Sequence, residues 1–286
     1  MDSDRGVESG YELLDTGDGL RLERFALHTV VRPDPNVLWK KSNPGNVAWQ
    51  QPDARFLGRN EEENWQLASG LENGWLLTWG AATFRVKPTP FRHMGLFPEQ
   101  AVQWQWLQEG IARFRQANGR APRVLNAFAY TGAASVVAAL AGAEVCHLDA
   151  SAGSINWAKE NARLSGLPED AIRWIVDDAR KFLQREVRRS RQYDLILMDP
   201  PVFGRGPKGE VWRLENGLPE LSYLAGRLMS PEPLGFWLNF YATALYPESV
   251  LRLFQVTLPF PLSVAALQLE EKYSKKNLQT GFCLRS

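Results

Sequence analysis

The sequence predicts an α/β protein, a doubly wound and largely parallel sheet preceded by a small, mostly β domain. Three observations carry this. From Arg123 onward, short apolar runs alternate with helical stretches, the pattern of repeated strand–helix–strand units. Ahead of Val86, turn-forming clusters recur at short intervals: Thr16-Gly17-Asp18-Gly19, Pro33-Asp34-Pro35-Asn36 and Asn43-Pro44-Gly45. The chain of 286 residues is 44% hydrophobic and 23% charged, enough for a packed core and for two domains.

Taken in order, residues 1–10 read as a polar tail. The stretches LRLERFALHTVV, ENWQLAS and GWLLTWGAATFRV read as short strands of a domain spanning 1–90. Seven of the eleven tryptophans precede residue 107 (Trp39, Trp49, Trp65, Trp75, Trp79, Trp104, Trp106). We read them as core filling, with an exposed base-stacking platform as the alternative. Lys87–Pro90 is a stiff connector to a second domain, 91–286. There Pro98 and Glu99 open a helix that runs to Gln116 and stops at Asn118-Gly119.

The alternation then runs as strands at 123–128, 144–149, 172–176, 193–198 and 234–240. Helices are expected at 133–142, 151–164, 179–190, 218–229 and 247–257. Strands at 263–270 and 280–285 close the chain. Parallel sheets of this kind place ligands at the carboxyl ends of their strands.

Composition excludes several function classes. Net charge is +1, so any nucleic-acid surface must be local. Two cysteines, Cys146 and Cys283, give neither a disulfide framework nor metal spacing, and His28, His93 and His147 add no metal or triad pattern. His93, ahead of the helix opened by Pro98, is the one placed near the site. No signal peptide and no run of about 20 apolar residues is present. A cytoplasmic protein without metal or membrane partner is expected.

The first turn, Asn126 to Gly132, has a single glycine and therefore suits a cofactor without a pyrophosphate better than a dinucleotide. Asp149, about twenty residues on, can accept from ribose hydroxyls or cap the next helix. Asp178, with Asp177 in reserve, can meet an adenine amino group or cap a helix. Asp199-Pro200-Pro201-Val202-Phe203 follows a buried strand and forms a stiff loop of outward carbonyls that can hold a planar amino group. Gly204–Gly209 reads as a lid, a phosphate contact or a solvated loop. Arg180, Lys181, Arg185, Arg188, Arg189 and Arg191 either grip phosphates or form a solvated face, the commoner reading.

GLFPEQ (95–100), VLNAFAYTGAAS (124–135), VCHLDAS (145–151), VDDARKFL (176–183) and LMDPPVFGRGPKGE (197–210) together resemble class I S-adenosylmethionine-dependent methyltransferases. More closely, the chain is similar to the bacterial large-subunit ribosomal RNA methyltransferases of the cytosine-C5 and guanine-N7 kinds; LERF…VVRPDP (22–35) is similar to their N-terminal module. The resemblance implies a Rossmann-like seven-stranded methyltransferase sheet whose last hairpin makes one strand antiparallel. It also implies S-adenosyl-L-methionine as cofactor, lined by Gln100, Asn126, Tyr130, Gly132, Asp149, Asp178 and Asp199, with Phe97 packed beside it.

One departure is informative. Cytosine-C5 methylation requires a thiolate that adds to the ring. Where that family's C5 enzymes carry it, this chain reads Asn239-Phe240-Tyr241-Ala242-Thr243 and Pro201-Val202-Phe203. A nitrogen needs only placement in line with the methyl sulfonium. Asp199, the Pro200 carbonyl and Asn239 can orient it, with Phe203 or Tyr241 stacked on the ring. The expectation is therefore methylation of RNA (rRNA) at a base nitrogen. The rivals are a small-molecule or protein methyltransferase, an NAD-dependent oxidoreductase, and a catalytically silent RNA-binding relative.

Overall fold

The computed structural model describes residues 10–58, 64–205, 211–241 and 244–286. Most of the expected 1–10 tail and the centre of the expected lid, Gly206–Gly209, lie outside the described residues. The chain divides into two compact units, one of residues 1–99 with 268–280 and one of residues 100–267 with 281–286.

In the first unit, β1 (Tyr11–Gly17), β2 (Leu20–Phe25), β3 (His28–Pro33), β4 (Ala54–Phe56) and β5 (Trp65–Leu67) form one sheet in that order. β6 (Trp75–Trp79) and β7 (Ala82–Val86) form a separate antiparallel hairpin. The turn signals act as read: Asp18 and Gly19 both take positive φ between β1 and β2, as a tight hairpin requires. Trp49, Trp65 and Trp75 are buried, Trp39 and Trp79 half-buried, so they fill space rather than form an exposed platform.

The second unit opens with α1 (Ala101–Asn118), ended by left-handed Gly119. β8 (Arg123–Ala127), α2 (Ala133–Leu140), β9 (Glu144–Asp149), α3 (Ala152–Leu164), β10 (Ile172–Val176), α4 (Ala179–Arg188) and β11 (Leu195–Met198) follow. β12 (Phe203–Arg205), β13 (Val211–Arg213), α5 (Leu214–Leu228), β14 (Gly235–Phe240), α6 (Pro247–Gln255), β15 (Ser263–Glu270) and β16 (Asn277–Arg285) complete the chain. The seven-stranded sheet runs β10-β9-β8-β11-β14-β16-β15. Its first five strands are mutually parallel, and β16 runs antiparallel to β14, as the resemblance implies. Leu125, Ala127, Leu148, Ile196, Met198, Phe236 and Leu238 pack against α4, α5 and α6 in one core, which is why these strands read as continuous apolar runs.

Strand order reverses between β8 and β11, the switch point where open sheets of this kind leave a crevice. The opposite edge is closed by buried Asp194, which accepts from Arg120 (2.7 and 3.0 Å) and from the Arg123 N–H (2.8 Å). The Arg120 and Arg123 bonds outweigh burial and hold its carboxyl down at about 2.

Two expectations are corrected. Residues 203–205 and 211–213 pair as an antiparallel hairpin where a loop was expected, because Phe203 and Val211–Trp212 supply strand-forming ends to a glycine-rich middle. α5 begins at Leu214 rather than 218: Pro219 sits inside the first turns, and Gly217 leaves room for the Trp212 ring, 2.1 Å from where a Cβ would stand.

Candidate functional site

The switch-point turn is built from unusual backbone. Phe128 (φ 58°), Tyr130 (φ 50°) and Gly132 (φ 83°) are all left-handed, and the two non-glycine residues each cost roughly 1 kcal/mol or more. Four bonds hold the turn. Ala129 N–H donates to the Leu148 carbonyl (3.1 Å), Tyr130 N–H to Asp149 Oδ2 (2.8 Å), Gly132 N–H to the Ala129 carbonyl (3.0 Å), and Asn161 Nδ2 to the Thr131 carbonyl (2.9 Å). Gly132 also lies against α3; a Cβ there would be 2.8 Å from the Ala158 Cβ.

Beneath the turn runs a buried polar chain. Asn126 Nδ2 donates to Ser135 Oγ (2.9 Å), which lies 3.0 Å from His147 Nδ1. All three side chains are buried. Burial pushes the imidazole down to about 3, opposed only in part by a backbone hydrogen bond with Tyr130, so His147 is neutral at physiological pH. The Ser135 hydroxyl and the neutral His147 Nδ1 share one hydrogen bond, with the tautomer setting which of the two donates. Asn126, expected to line the cofactor, thus ties β8 to α2 through its amide. Ser135 and His147 escaped the sequence reading because a lone buried histidine carries no spacing signal.

Asp149 sits at the end of β9. Its Oδ2 accepts from Tyr130 and its Oδ1 from the Ser151 N–H (2.8 Å each). The helix cap is Ser151, whose Oγ accepts from the Ser154 N–H at 3.1 Å, so Asp149 is not the cap. Burial raises the Asp149 carboxyl above its ordinary value, against the lowering pull of backbone N–H groups. Tyr130 is in turn pushed up to about 12 by burial and by the Asp149 charge. Asp178 caps α4 through the Lys181 N–H (3.0 Å), while Asp177 accepts from the Asp178 N–H (2.8 Å) and pairs with Arg185.

Asp199 begins the loop after β11. Gln100 occupies the N-cap position of α1 but caps nothing with its side chain. Its Nε2 donates instead to Asp199 Oδ2 (2.7 Å) and to the Tyr241 hydroxyl (2.9 Å). One amide thus joins the start of α1 to the carboxyl ends of β11 and β14. The Pro201 carbonyl does not face outward as expected: it accepts from Trp212 Nε1 at 2.6 Å. Trp212 is buried, with Phe128 at 5.2 Å on its ring and Arg180 at 5.8 Å. It fixes the Asp-Pro-Pro loop, a role hidden in the sequence inside an apparent lid. Pro200 is buried and Phe203 exposed. Asn239 is buried with its Oδ1 accepting from Trp237 Nε1 (2.7 Å). In the first unit, Phe97 is half-buried and packs with His93 at 5.4 Å between ring centres.

Three arginines of the basic helix are paired: Arg185 with Asp177, Arg180 with Glu220 of α5, and Arg189 with Glu186. Cys146 and Cys283 are both buried free thiols; burial pushes Cys146 up to about 11 and raises Cys283 as well. Among the described residues no group of three or more His, Cys, Asp or Glu can hold a metal, and no helix is long and apolar enough to cross a membrane.

The donor set fits an adenosyl ligand carrying positive charge. Asp149 offers carboxylate oxygens beside a turn that has no multi-glycine approach for a pyrophosphate. Asp149 and Asp178 are oriented by backbone N–H groups, which leave their charge intact.

Three comparisons bear on this geometry. The family described as "S-adenosylmethionine-dependent methyltransferase" matches residues 48–231. The crystal structure of an S-adenosylmethionine-dependent methyltransferase from Agrobacterium tumefaciens superposes with a TM-score of 0.90 at 40% identity, covering 99% of this chain and 91% of that one. Ribosomal RNA large subunit methyltransferase K/L of Shewanella frigidimarina is 34% identical over 160 residues, 52% of this chain and 20% of its own. Methyltransferase I of Aeromonas salmonicida is 32% identical over 133 residues, 46% of this chain and 33% of its own. The match therefore spans between a fifth and a third of these curated relatives' lengths.

Proposed function

The chain belongs to the S-adenosylmethionine-dependent methyltransferase family, and on that premise we propose that it methylates a base nitrogen in ribosomal RNA. The observation that carries the nitrogen is the state of the two thiols. Both are buried with raised pKa, so neither is poised as the thiolate that a ring carbon would need. RNA as the acceptor is supported by the curated relatives, whose names assign them to large-subunit ribosomal RNA.

When bound, S-adenosylmethionine would supply a sulfonium methyl group to a nitrogen lone pair, the C–S electron pair returning to sulfur and the methylated nitrogen's surplus proton passing to water. In this reading Asp149 accepts from the ribose hydroxyls, and the turn 128–132 with Gly132 shapes the adenosyl seat. Asp178 meets the adenine amino group, and Gln100 and Tyr130 border the ligand. Asp199 orients the acceptor's N–H groups, and the Pro200–Pro201 segment, tied down by Trp212, holds the base plane. Alignment of nucleophile and methyl group then supplies the rate, to which placement alone can contribute about 7–11 kcal/mol.

Nucleoside mass spectrometry of total ribosomal RNA from cells with and without the protein tests this. Loss of one N-methylated nucleoside is expected. Loss of a C5-methylated pyrimidine instead would overturn the nitrogen, and an unchanged nucleoside profile would overturn RNA as the acceptor.

A further inference from the structure

We propose that the outer face of the β12–β13 hairpin, with Phe203, Val211 and Arg213, binds a single-stranded stretch of RNA beside the methylated base. The proposal rests on the RNA reading of the function and adds a contact surface to it.

The register pairs Phe203 with Arg213, Gly204 with Trp212 and Arg205 with Val211. Directly paired residues share a face and successive residues alternate, so the hairpin has two unlike faces. Gly204 and Trp212 make the inner one. Trp212 is buried, and a Cβ at Gly204 would stand 3.4 Å from Pro201 Cγ. Phe203, Val211 and Arg213 lie on the other face and are all exposed, Phe203 at 54% and Val211 at 55%. Phe203 and Val211 are diagonal neighbours there, so their apolar surfaces adjoin instead of being scattered.

Charge selects the occupant. Residues 203–213, FGRGPKGEVWR, carry Arg205, Lys208 and Arg213 against Glu210, a surplus of two positive charges where the whole chain has a surplus of one. Arg213, unlike Arg180, Arg185 and Arg189, pairs with no carboxylate among the described residues. Cross-strand partners such as Phe203 and Arg213 have Cβ atoms about 4.5–5.5 Å apart. An open aromatic ring with a guanidinium beside it matches a nucleotide, the base stacking on the ring and the phosphate meeting the cation.

The hairpin is also fastened to the Asp-Pro-Pro loop. Trp212 Nε1 donates to the Pro201 carbonyl (2.6 Å), and the Leu214 N–H to the Val202 carbonyl (3.0 Å). Phe203 follows Asp199 by four residues, a chain reach of at most about 14 Å, so a base stacked there belongs to a nucleotide near the methylated one.

Wild type, Phe203→Ala, Phe203→Tyr and Arg213→Ala are each given radiolabelled S-adenosylmethionine and ribosomal RNA from cells lacking the protein. Protein and small-molecule extracts of the same cells serve as parallel acceptors. Phe203→Ala should raise KM for RNA about 5- to 150-fold, as loss of one base–aromatic stack does, with kcat within about threefold. Phe203→Tyr keeps a stacking ring and should restore the wild-type KM. Arg213→Ala should flatten the dependence of log KM on log salt by about 0.7, the effect of one lost single-strand phosphate contact. Both sites are exposed, so cofactor affinity by calorimetry should stay within about twofold in every variant. RNA labelled by wild type with KM and salt slope unchanged in the variants overturns the proposal alone. So does a fall in kcat at unchanged KM, which would put Phe203 on the acceptor base, or cofactor affinity falling in step with activity. Label confined to the protein or small-molecule extract overturns the RNA reading and the proposal with it.

Discussion

Gly132→Ala tests the turn at its tightest point. The substitution meets two separate obstacles. At φ 83° an alanine occupies left-handed backbone, at about 1–2 kcal/mol. Its Cβ would also stand 2.8 Å from the Ala158 Cβ and 3.3 Å from His147 Cε1, and overpacking of this kind typically costs about 1–3 kcal/mol. Together they predict a loss of about 2–5 kcal/mol, read by urea unfolding, with cofactor affinity weakened because the turn must shift. The two contributions separate in a cycle with Ala158→Gly. That change alone costs about 1 kcal/mol as a glycine inside a helix. In the double variant the Cβ–Cβ collision disappears, leaving an alanine Cβ 3.5 Å from the residue-158 Cα, an ordinary contact, and the tighter 3.3 Å approach to His147 Cε1 in place. The double variant should therefore be more stable than the sum of the singles by about 1–3 kcal/mol. A Gly132→Ala protein within about 0.5 kcal/mol of wild type, or strictly additive singles, would refute the close packing of turn against helix.

Three further outcomes follow from the same geometry. Asp149→Asn should weaken S-adenosylmethionine binding about 10- to 100-fold by calorimetry, as loss of charged hydrogen-bond acceptors does. Because burial raises this carboxyl, wild-type affinity should fall as pH drops and the acid protonates, whereas the variant should not share that decline. His147, held near 3, should remain neutral from pH 8 to 5 in an NMR titration. The unfolded chain takes up that proton near pH 6.5, so this group makes stability rise with pH between about 3 and 6.5. Asp194, held at about 2, adds stability that is complete above the ordinary carboxylate range and is lost as pH falls through about 2. With its partner Arg120 half-exposed, the contribution is roughly 1–2 kcal/mol, and acid unfolding of Asp194→Asn should converge with wild type toward pH 2.

The sheet was legible because a fully buried parallel strand reads as an uninterrupted apolar run. β9 and β10 have the bounds expected from EVCHLD and IRWIV, and Asp149 lies at its expected distance from the turn. What one dimension hides is lateral contact. Gln100 meets Asp199 and Tyr241 across 99 and 141 residues, and nothing in GLFPEQ signals that its amide turns away from its own helix. Trp212 was obscured for the same reason: its partner is the Pro201 carbonyl across a glycine-rich hairpin. The space that Gly281 leaves for Tyr241 depends on an antiparallel strand arriving beside β14 from the far end of the chain. A strand's composition reports that it is buried; it does not report which neighbour's glycine a side chain will lie on.

The two edges of the sheet treat carboxylates in opposite ways, and the difference bears on the ligand. At the amino edge, the Asp194 carboxylate faces the Arg120 guanidinium and the Arg123 N–H of β8, while its backbone carbonyl accepts from Leu234 and Gly235 at the start of β14. Asp177, too, is matched by Arg185. At the carboxyl edge, Asp149 and Asp178 are held by backbone N–H donors, and Asp199 accepts from a carboxamide. Backbone N–H donors orient the Asp149 carboxylate without neutralising it, so its field persists into the crevice. A phosphate-bearing cofactor would meet that field as repulsion, and a sulfonium would meet it as attraction. With the proposed RNA acceptor, the same field would oppose its polyanionic backbone, so the base would reach the edge ahead of its phosphates. On the proposed RNA reading, this favours base recognition at the carboxyl edge beside Asp199 over the arginines of α4 that pair with Asp177, Glu220 and Glu186. Replacing Arg188, an α4 arginine outside those pairs, by Ala should leave kcat on RNA within about twofold, and a large loss would move recognition to that helix.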